Sequence, residues 1–288
     1  MELLRKEFDF IEQDLGIFQV YLSERENSTA TIKKYMTDIH TFSGFLAGDK
    51  IVTKEKILEY KTWLMDNYAV SSANSMLVAL NQYLDFLGMG SLKVKRIKVQ
   101  SHFFTEESRE LSKREYRCLV KTAREKKKGS LALLMETICA TGIRVSELRY
   151  ITAEGVQKGR IQVNNKGKIR VIFLPEKLRK KLLFYIKSRK ILKGSVFVTK
   201  SGKPKDRSNI WTEMKKIAKA AGIEGNKVFP HNLRHLFART FYAKTGDITG
   251  LADLLGHSSL NITRIYTKNS GIVRQQQVDK TAVSLVTT

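Results

Sequence analysis

His231, Arg234, His257 and Tyr266 fall within one stretch of the chain. His231 and Arg234 are spaced i,i+3, so on a helix they share a face. Pro230 suits the first turn of that helix, where its missing N–H costs nothing. Leu233, Phe237 and Phe241 repeat every four residues and predict a buried stripe, which leaves His231 and Arg234 at the N-terminal mouth. Unpaired backbone N–H groups at such a mouth favour an anion, and a phosphate is a natural guest. Asp247 and Gly256 bracket a second short helix as N-cap and C′ residue. His257 follows its end, and Ser259 can cap a third helix that presents Tyr266.

Charge names the partner class. The 288 residues carry a formal net charge of +24, unevenly placed. Residues 1–90 hold 9 Lys and Arg against 13 Asp and Glu, whereas residues 91–288 hold 43 against 15. A segment that basic implies a polyanion, most simply nucleic acid. Cys118 and Cys139 sit in apolar helical patterns and read as small buried hydrophobes. No Cys/His cluster indicates a metal site. Acidic residues at the N-terminus do not suit a signal peptide, and no apolar run approaches the roughly 20 residues that span a bilayer. The expectation is a cytoplasmic, nucleoid-associated protein without a membrane partner.

The elements that must position these residues follow from periodicity. Residues 1–90 predict four helices. The first covers about 8–23 with Phe8, Ile11, Leu15, Phe18 and Leu22 inside. The second is capped by Ser28 or Thr29, the third by Thr53, and the fourth by Ser71 or Ser72, stopping at Gly88. Their aromatics lie on apolar stripes and read as core. Residues 91–106 form a basic linker in which Lys93, Lys95, Arg96 and Lys98 could track a phosphate backbone. The second domain, 107–288, opens with a capping box from Ser112 to Glu115. An apolar helix ends at Gly142, with Arg144 and Glu147 directly after it. GRIQVNN and KIRVIFLP alternate like the strands of a hairpin turning near Asn165, Lys166 and Gly167. Pro175 starts a helix, SVFV reads as a short strand, and Asn209–Ala221 is amphipathic. The fold class is mainly α with a small antiparallel β-sheet.

In combination, Arg144 in ATGIRVSEL, the pair His231 and Arg234, His257 in LLGHSS, and Tyr266 resemble the signature of the tyrosine recombinases, the phage and transposon integrase family with its Xer-like members. The resemblance spans nearly the whole chain. It implies an N-terminal four-helix core-binding (SAM-like) domain that clamps DNA, and an α+β catalytic domain. The implied activity is site-specific DNA recombination through a covalent 3′-phosphotyrosine, independent of metal and ATP and without a cofactor. Outcomes open to such chemistry are integration, excision, inversion or resolution of DNA.

The residues suit that chemistry. Tyr266 can attack the phosphodiester and store its energy for religation. Arg144 and Arg234 can fork onto non-bridging oxygens and stabilise the charge that grows there. His231 and His257 can donate hydrogen bonds or move the tyrosine proton. By resemblance the general acid is a lysine of the hairpin turn, Lys166, with Lys168 as its rival. Glu147 would orient the site. Taken singly, each residue has a plain alternative, such as a helix cap for Arg144 or an amphipathic core role for Tyr266.

The resemblance further implies a homotetramer on double-stranded DNA, in which residues 271–288 dock on a neighbouring catalytic domain. It leaves room for an accessory directionality factor. In the acidic first domain, Lys33 and Lys34, with Arg25, Lys54, Lys56 and Lys61, are the residues that could make a basic face. Competing readings are a type IB topoisomerase-like activity, a non-cleaving DNA-binding protein and an RNA-binding protein.

Overall fold

The computed structural model describes residues 7–11, 14–98, 110–165, 168–256 and 263, with backbone alone at Asn165 and Lys168. The chain divides into two compact units, Met1–Ser101 and His102–Thr288.

The first unit holds helices α1 (Asp14–Glu24), α2 (Thr29–Leu46), α3 (Lys54–Asn67) and α4 (Val70–Phe86). Ser28 and Thr53 cap α2 and α3 as their sequence positions predict, each accepting from a backbone N–H. The expected cap at Ser71 or Ser72 is not used, because α4 begins at Val70 behind Ala69, without a side-chain cap. The expected helix over 8–23 is also corrected. Glu7–Asp9 form strand β1, which pairs antiparallel with β2 (Ile51–Thr53). Phe8 and Phe10 are buried and Glu7 and Asp9 exposed, a period of two, while Ile11 is exposed. The partner strand lies more than 40 residues away, so local periodicity alone could not favour it. The aromatics are core, as expected. Phe18 meets Tyr83 edge-on at 5.1 Å and Phe42 meets Tyr60 at 4.9 Å, offset geometries that aromatic quadrupoles favour.

The segment expected to start a free linker instead belongs to this first unit as far as Lys98. Leu92 and Val94 are buried, and Lys93, Lys95, Arg96 and Lys98 are exposed. Two asparagines seven residues apart on α4 tie the strap down. Asn81 donates to Val94 O at 2.9 Å and accepts from Val94 N at 3.1 Å. Asn74 does the same for Ile97, at 3.0 and 2.7 Å. Lys54 donates to the carbonyl of Leu92 at 2.9 Å and Lys61 to that of Lys95 at 2.9 Å. Each amide side chain thus completes a backbone donor and acceptor that no strand partner supplies.

The second unit contains α5 (Lys113–Glu125), α6 (Gly129–Thr141), a 3₁₀ turn (Val145–Tyr150), α7 (Ala153–Lys158), β3 (Arg160–Asn165), β4 (Lys168–Phe173), α8 (Glu176–Ser188), α9 (Arg207–Ala220), α10 (Pro230–Thr245) and α11 (Ile248–Leu255). The Ser112–Glu115 capping box is present. The hairpin is as expected, with Asn165 paired to Lys168. The SVFV strand is corrected to two isolated bridges, Thr152 with Ser195 and Val198 with Pro204, because no neighbouring strand among the described residues extends the ladder there. Apolar α6 is the centre of the unit, buried at Leu131, Leu134, Met135 and Ile138 and packed against α5, α8 and α10. Cys139 is half-buried, its thiol pushed up to about 12 by burial. Cys118 is exposed, contrary to the expectation of burial, since it lies on the water face of α5. None of the described helices is long and apolar enough to cross a membrane.

Replacing Asn81 with Ala leaves the N–H and C=O of buried Val94 without their partner. The expected loss is about 1–3 kcal/mol of stability, read from urea unfolding of the full chain followed by its tryptophans, Trp63 of the first unit and Trp211 of the second.

Candidate functional site

The site starts from a glycine. Helix α6 ends at Gly142 in the left-handed region, φ +64°. A Cβ there would stand 2.5 Å from Phe237 of α10 and 2.8 Å from Leu255 of α11. Only a residue without a side chain lets the ends of α6 and α11 meet the middle of α10 so closely. Ile143 is buried, and Arg144 turns out in extended conformation as the N-cap of the 3₁₀ turn.

Glu147, in that turn, is 2% exposed. Its carboxylate accepts from the Arg144 backbone N–H at 2.9 Å, from the Arg144 guanidinium at 3.0 Å and from Arg170 at 2.5 Å. Burial alone would raise its pKa. The Arg144 N–H and the charge of Arg170 outweigh that and hold the carboxyl below its ordinary range. It is therefore a fixed anion between two guanidinium groups.

Helix α11 supplies the other wall. Asp247 caps its start, accepting from Gly250 N at 2.7 Å, and Gly256 ends it at φ +63°. The last carbonyls of a helix have no intrahelical donor and bear its negative dipole end. Three arginines from three other elements take three successive carbonyls here. Arg170 of β4 donates to Leu254 O, Arg234 of α10 to Leu255 O at 2.7 Å, and Arg144 to Gly256 O at 3.1 Å. Arg234 also donates to Gly142 O at 2.5 Å and is 2% exposed, the largest fully buried side chain among those described. The Arg144 side chain is 33% exposed and that of Arg170 14%.

His231 stands in the first turn of α10 behind Pro230, as the sequence predicts, and its ring meets that of His235 at 4.4 Å. Partial loss of water, then the charges of Arg234, Arg144 and Arg207, lowers its pKa. The structure thus brings Arg144, Glu147, Arg234 and His231 to one place. Lys166, His257 and Tyr266 lie outside the described residues, as does the tail expected to dock on a neighbour, and the side chain of Lys168 is likewise not described. Gly256 immediately precedes His257 in the chain, so the three-arginine grip sits one residue before that candidate.

Two residues were not singled out from sequence. Arg170 carried a signal that was available. It alternates with Ile172 on the buried side of β4 and with buried Leu174 just past the strand, while Ile169, Val171 and Phe173 face water. A charge at an inward strand position needs a buried partner. His235 had no such signal. Among the DNA-binding candidates, Lys33, Lys95, Arg96 and Lys98 are exposed, whereas Lys34 pairs with buried Asp38 and Lys93 with Asp85. Among the described residues, no group of three or more His, Cys, Asp or Glu side chains could hold a metal ion.

Gly142→Ala is expected to cost about 2–4 kcal/mol, combining left-handed strain and overpacking against Phe237, measured by urea unfolding. His235 is held down to about 4, first by burial and then by the charges of His231 and Arg234. The unfolded chain binds this proton from about pH 6.5 downward. Stability is therefore fully present above that pH and falls as pH drops toward 4. Thermal melts between pH 7 and 4 should show the loss, with a shallower slope in His235→Gln.

The model of the phage integrase family matches residues 109–271. The chain is 31% identical over 261 residues to tyrosine recombinase XerA of Thermococcus kodakarensis, covering 87% of this chain and 89% of that one. It is 27% identical over 280 residues to tyrosine recombinase XerD of Vibrio cholerae, covering 89% and 93%. Its fold is similar to that of a lambda integrase dimer bound to a core site, with a TM-score of 0.73, 19% identity, and 91% and 77% of the two chains covered. More than half of the chain matches the family model, and the match contains the arginine-gripped end of α11: the chain belongs to the phage integrase family of tyrosine recombinases.

Proposed function

We propose that this chain is a site-specific recombinase that breaks and rejoins double-stranded DNA through Tyr266, with Arg144, Arg234, His231, His257 and a lysine of the hairpin turn around the reacting phosphate. The observation that supports it best is the convergence of Arg144 and Arg234 on adjacent carbonyls, Gly256 and Leu255, beside His231. Phosphodiester cleavage places extra negative charge on the non-bridging oxygens, and preorganised guanidinium groups stabilise it without reorganisation.

Tyr266 is the nucleophile. Its oxygen attacks phosphorus, the bond to the 5′-oxygen breaks, and a 3′-phosphotyrosine holds the strand end until a 5′-hydroxyl reverses the step. Arg144, part-exposed and with N–H groups beyond those held by Glu147 and Gly256 O, offers a fork to the phosphate. Arg234 adds a buried positive charge behind it. A lowered pKa keeps His231 neutral near pH 7, the form that accepts the tyrosine proton. Lys166 protonates the leaving oxygen, with Lys168 as the alternative, and Glu147 holds Arg144 in place.

The first unit, residues 1–90 with its strap, acts as the second half of a DNA clamp. Its exposed Lys33, Lys95, Arg96 and Lys98 meet phosphates, and Lys34 and Lys93 contribute where their acidic partners can be exchanged for DNA. Residues 271–288 dock on a neighbouring catalytic domain and join four subunits on the DNA, with an accessory factor setting direction. A groove of about 400 Å³ between α5, α6 and α10, lined by Tyr116, Ala140, Leu236, Phe237 and Phe241, is an apolar surface suited to such a segment.

The test is a nicked duplex bearing a site selected from host DNA, incubated in EDTA. Wild type should form a covalent protein–DNA adduct and Tyr266→Phe none, while Arg144→Ala should slow the adduct by about 10²-fold or more. Tight binding with no adduct from wild type would make this a binding protein. An adduct surviving in Tyr266→Phe would name another nucleophile.

A further inference from the structure

We propose that Arg170 is a positioning residue for DNA cleavage: it neutralises Glu147 and holds the end of α11, so that the positive charge of Arg144 stays available to the phosphate. This rests on the assignment of Arg144 to the scissile phosphate.

Geometry carries the argument. Arg170 is contributed by strand β4, yet its guanidinium reaches two other elements. One nitrogen donates to Glu147 Oε2 at 2.5 Å and the other to Leu254 O. Its Nε is buried and has no partner among the described residues, so the side chain is held by those two contacts and by packing. A Cβ on Gly256 would meet its Cδ at 2.8 Å, which shows how tightly the stem passes under the helix end.

Charge bookkeeping explains why two arginines must share one carboxylate. Arg144, Arg170 and Arg234 bring three positive charges. Glu147 and the carbonyl end of α11 offset about one and a half of them, taking a helix terminus as about half a charge. The remainder faces outward through Arg144, the most exposed of the three guanidinium groups. Without Arg170, the buried Glu147 anion has Arg144 as its one remaining guanidinium among the described residues. A carboxylate that far from water binds its sole counter-ion strongly. Arg144 would then be drawn inward, its charge spent on Glu147 instead of on phosphate. The last turn of α11, which leads directly into His257, would also lose one of its three anchors.

The experiment measures single-turnover adduct formation on the same nicked duplex, with DNA affinity measured separately. Arg170→Met should slow cleavage by about 30-fold or more, the scale of a small misplacement of catalytic groups, while affinity stays within about threefold. Arg170→Lys keeps the charge beside Glu147 and should stay within about fivefold of wild type. The discriminating variant is Arg170→Met combined with Glu147→Gln. Removing the carboxylate charge frees Arg144, so the double variant should cleave about tenfold faster than Arg170→Met alone, a coupling that a packing role does not produce. If Arg170→Met loses its cooperative melt, Arg170→Gln, which keeps a donor for Leu254 O, takes its place with the same expectations. Wild-type rates in Arg170→Met overturn the proposal. So does a slow Arg170→Met that neither Arg170→Lys nor Glu147→Gln improves, since that marks a residue needed for folding alone. A wild-type adduct unaffected by Arg144→Ala removes the assignment of Arg144, and the proposal falls with it.

Discussion

A helix end needs donors, and at α11 three arginines supply them. The last turn of α11 presents the carbonyls of Leu254, Leu255 and Gly256, which the helix itself cannot satisfy. Arg170, Arg234 and Arg144 reach them from a strand, a helix and a 3₁₀ turn. Guanidinium groups suit the task, being planar, permanently charged and rich in donors. One set of bonds thus fixes the relative positions of β4, α10, α11 and the chain after α6. It also concentrates positive charge around that helix end. On the proposed function, structural satisfaction and catalytic electrostatics are the same interaction.

Glu147 makes this concentration tolerable. Three guanidinium groups packed together repel one another, and Arg234 in particular has almost no access to water. A carboxylate held as an anion by Arg144 and Arg170 lowers that repulsion without cancelling the field. Gly142 completes the frame from the steric side. Its missing Cβ lets α6 end against Phe237 and Leu255, and its carbonyl gives Arg234 a second anchor. Burial first, and then the neighbouring charges, lower the pKa of His231, which suits the proton-accepting role proposed for it.

The first unit solves a different problem. Its sequence is acidic overall, yet the strap over 92–98 displays Lys93, Lys95, Arg96 and Lys98 on an ordered backbone. The order comes from Asn74 and Asn81, one helical face of α4 acting in place of a strand partner. Lys54 and Lys61, which the sequence offers as part of a basic face, donate to strap carbonyls instead. If the strap meets phosphates as proposed, tethering it beforehand lowers the ordering entropy that binding would otherwise cost.

Much of this was legible in the residues themselves. Helix starts at Ser28, Thr53, Ser112 and Asp247, and ends at Gly142 and Gly256, follow from cap chemistry that acts over three or four residues. The hairpin from Arg160 to Phe173 follows from its alternation. The spacing of His231, Arg234, His257 and Tyr266, with Arg144 far upstream, named the family and its chemistry, because functional side chains must be encoded by type and order. What only tertiary structure decided depends on distant partners. Strand β1 exists because Ile51–Thr53 lie beside it, and the strap is ordered because two asparagines face it. Cys118 faces water because α5 turns that side outward. The union of Arg144, Arg170 and Arg234 at one helix end joins residues up to 112 positions apart. Local sequence sets propensities within a few residues, whereas a buried charge is placed by whichever carbonyls and carboxylates the packing brings within reach, and that is settled only when the chain has folded.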